Sequence, residues 1–140
     1  MAEIPDALDV SVENICRIIV KARQFAAKEG VVEEDYGGNP TDEGFREVLA
    51  AHGDDPVFQE LKAFIDGLDI DAQCDLVALM WIGRGDFSKD EWDAAFELAQ
   101  QEHTEHTAEY LLGTPLLPDL LQAGLDTYGL SCADFEADHL

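Results

Sequence analysis

Basic side chains are scarce in this sequence: 8 Lys and Arg stand against 31 Asp and Glu, a formal net charge of −23 over 140 residues. A field of that sign repels nucleic-acid phosphates and anionic membranes, so neither is expected as a partner. It favours basic proteins or cations instead. Cysteine is also sparse. Cys16, Cys74 and Cys132 form no Cys-x-x-Cys pair, and their odd count reads as reduced thiols. No apolar run approaches the length of a membrane span. The first residues, Met1-Ala2-Glu3-Ile4-Pro5-Asp6, lack the basic-then-apolar pattern of a signal peptide, so the expected location is the cytoplasm.

Catalytic signatures are missing as well. There is no Gly-x-Ser-x-Gly elbow, and no histidine lies close in sequence to any of the cysteines. Gly37-Gly38 lacks the Gly-Lys-Ser/Thr ending of a phosphate loop. No catalytic residue and no cofactor is expected, and whether the chain is an enzyme stays open, the balance leaning against it. Alternation of period two is nowhere long enough for a strand.

What remains is an amphipathic helical chain. A hydrophobic fraction of 46% is too high for a disordered acidic segment. The length suits one domain over residues 1–140, with residues 1–10 and 131–140 frayed and 30–40 a loop. The fold class expected is all-α, a bundle of about six helices around a buried central one. Ser11 caps a helix running to Glu29, with Val12, Ile15, Cys16, Ile18, Ile19, Ala22 and Phe25 on its core side. Its other face carries Arg17, Lys21 and Lys28, with Arg23 at the edge, half of all the basic residues in the chain. Thr41 opens a short helix to Gly53. Asp54 or Asp55 with Pro56 opens another, presenting Phe58, Leu61 and Ile65.

Asp69 caps the next helix, whose Asp71 and Asp75 complement the helix dipole. The run from Leu76 to Ile82 is apolar all round and belongs in the centre of a bundle. Gly83 and Gly85 break the helix around Arg84. Ser88 and Glu91 form a capping box for a helix through Trp92, Ala95, Phe96 and Ala99, which either continues to Leu112 or bends near Thr104. Gly113-Thr114-Pro115 ends that helix and caps the last one, marked by Leu116, Leu117, Leu120, Leu121 and Leu125.

Three places could carry chemistry. Gly85 to Trp92 looks like the second half of an EF-hand loop, but the matching ligand positions fall on Met80, Ile82 and Arg84, which offer no side-chain oxygen. Calcium is not expected. On a helix, His103 and His106 would be neighbours with Glu102 and Glu109 within a turn, a set able to hold zinc, nickel or iron if a second half-site joined it. Arg84 sits between two glycines and next to Asp86. Its guanidinium either caps the helix and pairs with Asp86 or anchors a partner.

The stretch Leu76-Val77-Ala78-Leu79-Met80-Trp81-Ile82-Gly83-Arg84-Gly85-Asp86, followed by Glu91-Trp92, is joined by Thr107-Ala108-Glu109-Tyr110-Leu111-Leu112-Gly113-Thr114-Pro115-Leu116-Leu117. Together they resemble a family of small bacterial proteins known only as a domain of unknown function, over residues 55–125. The resemblance implies a bacterial, cytosolic, helical domain and brings no activity, cofactor or site residue with it.

The reading that follows is a non-enzymatic protein-interaction or self-associating module. The leucines of the last helix and the Arg17/Lys21/Lys28 face would bind a protein partner or a second copy, with Arg84 and Asp86 as a further contact. One alternative is a metal-binding protein or metal-dependent enzyme using His103, His106, Glu102 and Glu109. Another is an acidic mimic of nucleic acid that occupies a basic partner.

Overall fold

The computed structural model describes residues 8–29 and 55–132. The expected loop at 30–40 and the helix opened by Thr41 lie outside them. Among the described residues the protein is all-helical, with six α-helices and no strand. They are α1 (Val12–Glu29), α2 (Pro56–Asp66), α3 (Ile70–Arg84), α4 (Trp92–Glu102), α5 (Thr107–Leu112) and α6 (Leu117–Thr127), with a 3-10 turn over Lys89–Glu91 before α4.

Local chemistry sets most of the boundaries. The Ser11 hydroxyl accepts the Asn14 amide at the start of α1. Asp55 accepts the amides of Val57 and Phe58, and Pro56 takes the first position of α2. Asp69 accepts the Ala72 amide at the start of α3. Gly85 ends α3 with φ of 93°, and the Asp86 amide reaches back to the Trp81 carbonyl. That left-handed cap suits glycine, which has no Cβ to strain.

α3 is the central helix. Every residue from Ala72 to Ile82 is buried, so the helix has no solvent face along that length. α6 crosses it closely enough to exclude side chains. A Cβ on Gly83 would lie 1.9 Å from the Leu120 carbonyl oxygen, and one on Gly124 would lie 2.5 Å from that of Leu79. Gly83 therefore does not break α3, as its residue type suggests, but lies within it and lets a second backbone approach.

The leucines of the last helix are part of this packing. Leu117, Leu121 and Leu125 are buried in the core of their own chain, so they offer no free stripe to a partner. The join before α6 also differs from expectation. Gly113 is in the ordinary helical region, and Leu116 takes φ of 61°, the left-handed region unfavourable to a side chain.

Two cysteines do not remain thiols. Cys16 in α1 and Cys132 beyond α6 form a disulfide with their Cα atoms 5.6 Å apart. Their residue spacing hid this, because only the return of the chain end past α6 brings them together. Cys74 stays free and buried, and its thiol is pushed up to about 11, chiefly by burial. Val10, in the segment expected to fray, is buried in the core.

Candidate functional site

The two motifs that carry the resemblance meet in space. The indole N–H of Trp81, on α3, donates to the hydroxyl of Tyr110, on α5. The Arg84 guanidinium is hydrogen-bonded to the same hydroxyl. It also donates through Nε and Nη2 to one oxygen of Asp86, at 2.8 and 2.7 Å. Burial raises the Tyr110 hydroxyl above its usual range. Phe87 lies against Trp81, with ring centroids 5.9 Å apart. Arg84 and Asp86 thus serve an internal network that ties the end of α3 to α5.

The basic face of α1 is similarly engaged within its own chain. Arg17 pairs with Glu13 and lies 5.8 Å from the Phe64 ring centroid. Lys21 reaches Glu60 of α2 at 3.4 Å, and Arg23 reaches Asp119 of α6 at 3.7 Å. Exposed pairs of this kind contribute about 0–1 kcal/mol each. Arg17 thus pairs along its own helix, while Lys21 and Arg23 link α1 to acidic residues of α2 and α6. The Lys28 side chain lies outside what the structure describes.

His103 and His106 do not share a helix. α4 stops at Glu102, and His103 turns extended, with φ of −62° and ψ of 134°. Thr104 then interrupts the chain, its hydroxyl accepting the His106 amide and its carbonyl accepting the Thr107 hydroxyl. The two imidazoles consequently serve different neighbours. Gln73 donates through Nε2 to the Ile65 and Leu68 carbonyls, so its Oε1 is left to accept from His103 Nε2 at 2.7 Å. His106 Nδ1 lies 3.4 Å from Glu109 Oε2, and its Nε2 lies 3.7 Å from Glu105.

Glu102 forms no hydrogen bond or ion pair with either histidine. Among the described residues, no group of three or more His, Cys, Asp or Glu side chains is placed to hold a metal ion. Glu109 is buried, and Lys62 sits 4.0 Å from it and 2.7 Å from Asp66. Lys62 is pushed above its ordinary range, mainly by its hydrogen bond to Asp66.

His103 instead borders a cleft of about 670 Å³ between the α2–α3 turn and the α4–α5 turn. Its lining is Asp66, Leu68, Asp69, Ile70, Asp71, Gln73, His103 and Glu105. Ile70 is 59% exposed, one of two large apolar side chains so placed among the described residues, with Leu116. Four carboxylates surround that apolar wall, one of them, Asp66, paired with Lys62, and neither Lys nor Arg is part of the lining. The lining is complementary in charge and polarity to an apolar group that carries positive charge.

Of the candidate site residues named from sequence, only His103 lines this cleft. Asp69 and Asp71 read from sequence as a helix cap and a dipole-complementing acid. The available signal was Ile70 itself, an apolar residue placed directly after a cap, outside the periodic core pattern.

Fold and site together define an all-helical domain with an acidic, apolar-walled cleft beside its central helix. The chain belongs to the family described as "Protein of unknown function (DUF3775)", whose model matches residues 58–130. That stretch contains the cleft, the central helix and the Trp81–Tyr110 contact. No curated protein and no solved structure matches the chain.

Proposed function

We propose that this domain is a non-catalytic protein-interaction module whose cleft receives a basic segment of a partner protein. The observation that carries the reading is the exposed Ile70, walled by Leu68 and ringed by Asp66, Asp69, Asp71 and Glu105. An apolar centre with a charged rim is the layout of an interaction patch. The rim would speed and orient the approach of a basic chain, while the apolar wall would hold it. The net charge of −23 adds long-range attraction of the same sign.

This reading keeps the interaction module inferred from sequence but moves its surface. Leu117, Leu121 and Leu125 are buried in their own chain and the α1 basic face pairs with acids of its own chain, whereas the cleft joins exposed acids to the exposed Ile70. The partner is therefore a basic, amphipathic peptide segment rather than a second copy binding through its leucines.

The test is titration of the full chain with a labelled peptide alternating Leu and Lys, read by amide shift mapping. Shifts clustered on Leu68–Gln73 and His103–Glu105 are expected. Ile70→Ser with Asp71→Asn is expected to weaken binding by about tenfold or more, corresponding to at least about 1.4 kcal/mol. Shifts spread over the whole acidic surface, with equal binding by the double variant, would reject the cleft.

A further inference from the structure

Asp75 sits in the second turn of α3 with no solvent exposure at all. Its Oδ2 accepts the backbone amides of Asp9, at 2.6 Å, and Val10, at 3.1 Å. Those residues lead into α1 from more than sixty positions earlier in the chain. Its Oδ1 is equally buried and has no hydrogen-bond partner. No ion pair reaches Asp75 among the described residues. The charges that act on it are Asp9 from the N-terminal segment and Asp71 from its own helix, both of its own sign.

We propose that Asp75 is a pH-sensitive latch that holds residues 8–10 against the central helix and releases them when its carboxyl group ionises. The two oxygens have separate parts in this. Oδ2 can accept the two amides whether or not the group carries a proton. Oδ1 decides the charge, and a buried carboxylate without a counter-charge is costly. Burial accordingly pushes this carboxyl up to about 7, against the opposing effect of the two amide hydrogen bonds.

Water is what an ionised Asp75 would gain from opening. The flanking residues of α3 are core, so the route available to water is the lifting of the short segment that covers Asp75. Beyond Ser11, α1 is held by the Cys16–Cys132 disulfide. Among the described residues the movement is thereby confined to 8–10, with a hinge near Ser11. Release uncovers Val10 and Leu8, both of which pack on the core when the latch is closed. The latch and the acidic cleft share only Asp71 and are tested by separate measurements.

The test is solution NMR of the full chain from about pH 5 to about pH 9, following the Asp75 side-chain carboxyl and the amide protection of Asp9 and Val10. A carboxyl midpoint near 7 is expected, with protection of the two amides falling about tenfold between about pH 6 and pH 8 while that of Ile18 is unchanged. Asp75→Asn, which keeps an oxygen for the amides but cannot ionise, is expected to hold protection level with pH. An Asp75 midpoint near that of an exposed aspartate would overturn the proposal, and so would protection that ignores the titration. If the variant fails to fold, the unmodified chain alone still decides between these outcomes.

Discussion

The indole N–H of Trp81 donates to the hydroxyl oxygen of Tyr110 across 3.0 Å, joining residues 29 positions apart. Both side chains are buried, so neither polar atom has ready access to water. The contact connects the end of the central helix to the short helix α5, and Arg84 joins it from the same hydroxyl.

Tyr110→Phe is expected to leave the Trp81 N–H buried without a partner, at a cost of about 1–3 kcal/mol. Urea unfolding followed by Trp fluorescence measures it. Combining the change with Trp81→Phe should cost less than the sum of the two single changes, since the lost bond is shared. Strict additivity would show that the two groups do not interact in solution.

The α3–α6 crossing has no room for a methyl group. Gly83→Ala places its Cβ against the Leu120 carbonyl, and Gly124→Ala does the same against Leu79. Backbone atoms cannot rotate aside as a side-chain end can. Each substitution is expected to destabilise at or above the upper end of the about 1–3 kcal/mol typical of overpacking. A melting temperature unchanged by Gly83→Ala would mean that the helices lie further apart.

Leu116 offers the opposite sign. Its φ of 61° suits glycine, and the residue is 47% exposed, so only part of its packing surface is lost by removing the side chain. Relief of about 1–2 kcal/mol of left-handed strain exceeds the chain entropy glycine adds. Leu116→Gly is expected to stabilise by up to about 1 kcal/mol in the same unfolding assay. A loss of stability would show that Leu116 makes a contact worth more than its backbone strain.

Reducing the Cys16–Cys132 disulfide frees a chain separation of 116 residues in the unfolded state. A loss of about 2–4 kcal/mol is expected on reduction, and Cys132→Ser should match it. The same bond bears on location. A cytoplasmic glutathione poise keeps most thiols reduced, so thiol labelling in intact cells distinguishes the expected cytoplasm from an oxidising compartment. Equal stability with and without reductant would remove the bond from any structural role.

Asp75 gives stability a predictable pH dependence. Its carboxyl is raised from 3.8 to about 7 in the folded chain. Between those values the folded state keeps a proton that the unfolded state has released. Its contribution to stability is therefore full at the acid end, declines as pH rises through that window, and levels off above about 7. Denaturant midpoints of Asp75→Asn minus those of the unmodified chain should grow with pH over this range. A constant difference would mean that the carboxyl titrates alike in both states.

Much of the fold was legible because it rests on local chemistry. Ser11, Asp55, Asp69 and Gly85 act within a few residues of themselves, so caps and helix limits follow from residue type. The spacing of Ile15, Ile18, Ile19 and Ala22, and the unbroken apolar run after Asp75, marked the buried faces and the central helix in the same way. The composition likewise determined the sign of the field around the protein.

Tertiary structure alone decided what those elements do to each other. Gly83 has the same residue type whether it breaks a helix or admits a neighbouring backbone, and only the position of Leu120 distinguishes the two. Cys16 and Cys132 become partners only when α6 carries the chain end back to α1. His103 and His106 are adjacent on an ideal helix, yet the Thr104 hydrogen bonds turn the chain and send one imidazole to Gln73 and the other to Glu109. Asp75 resembled a dipole-complementing acid until residues 9 and 10 closed over it. Each of these outcomes depends on contacts between distant segments, whereas caps and helical periodicity record only neighbours along the chain.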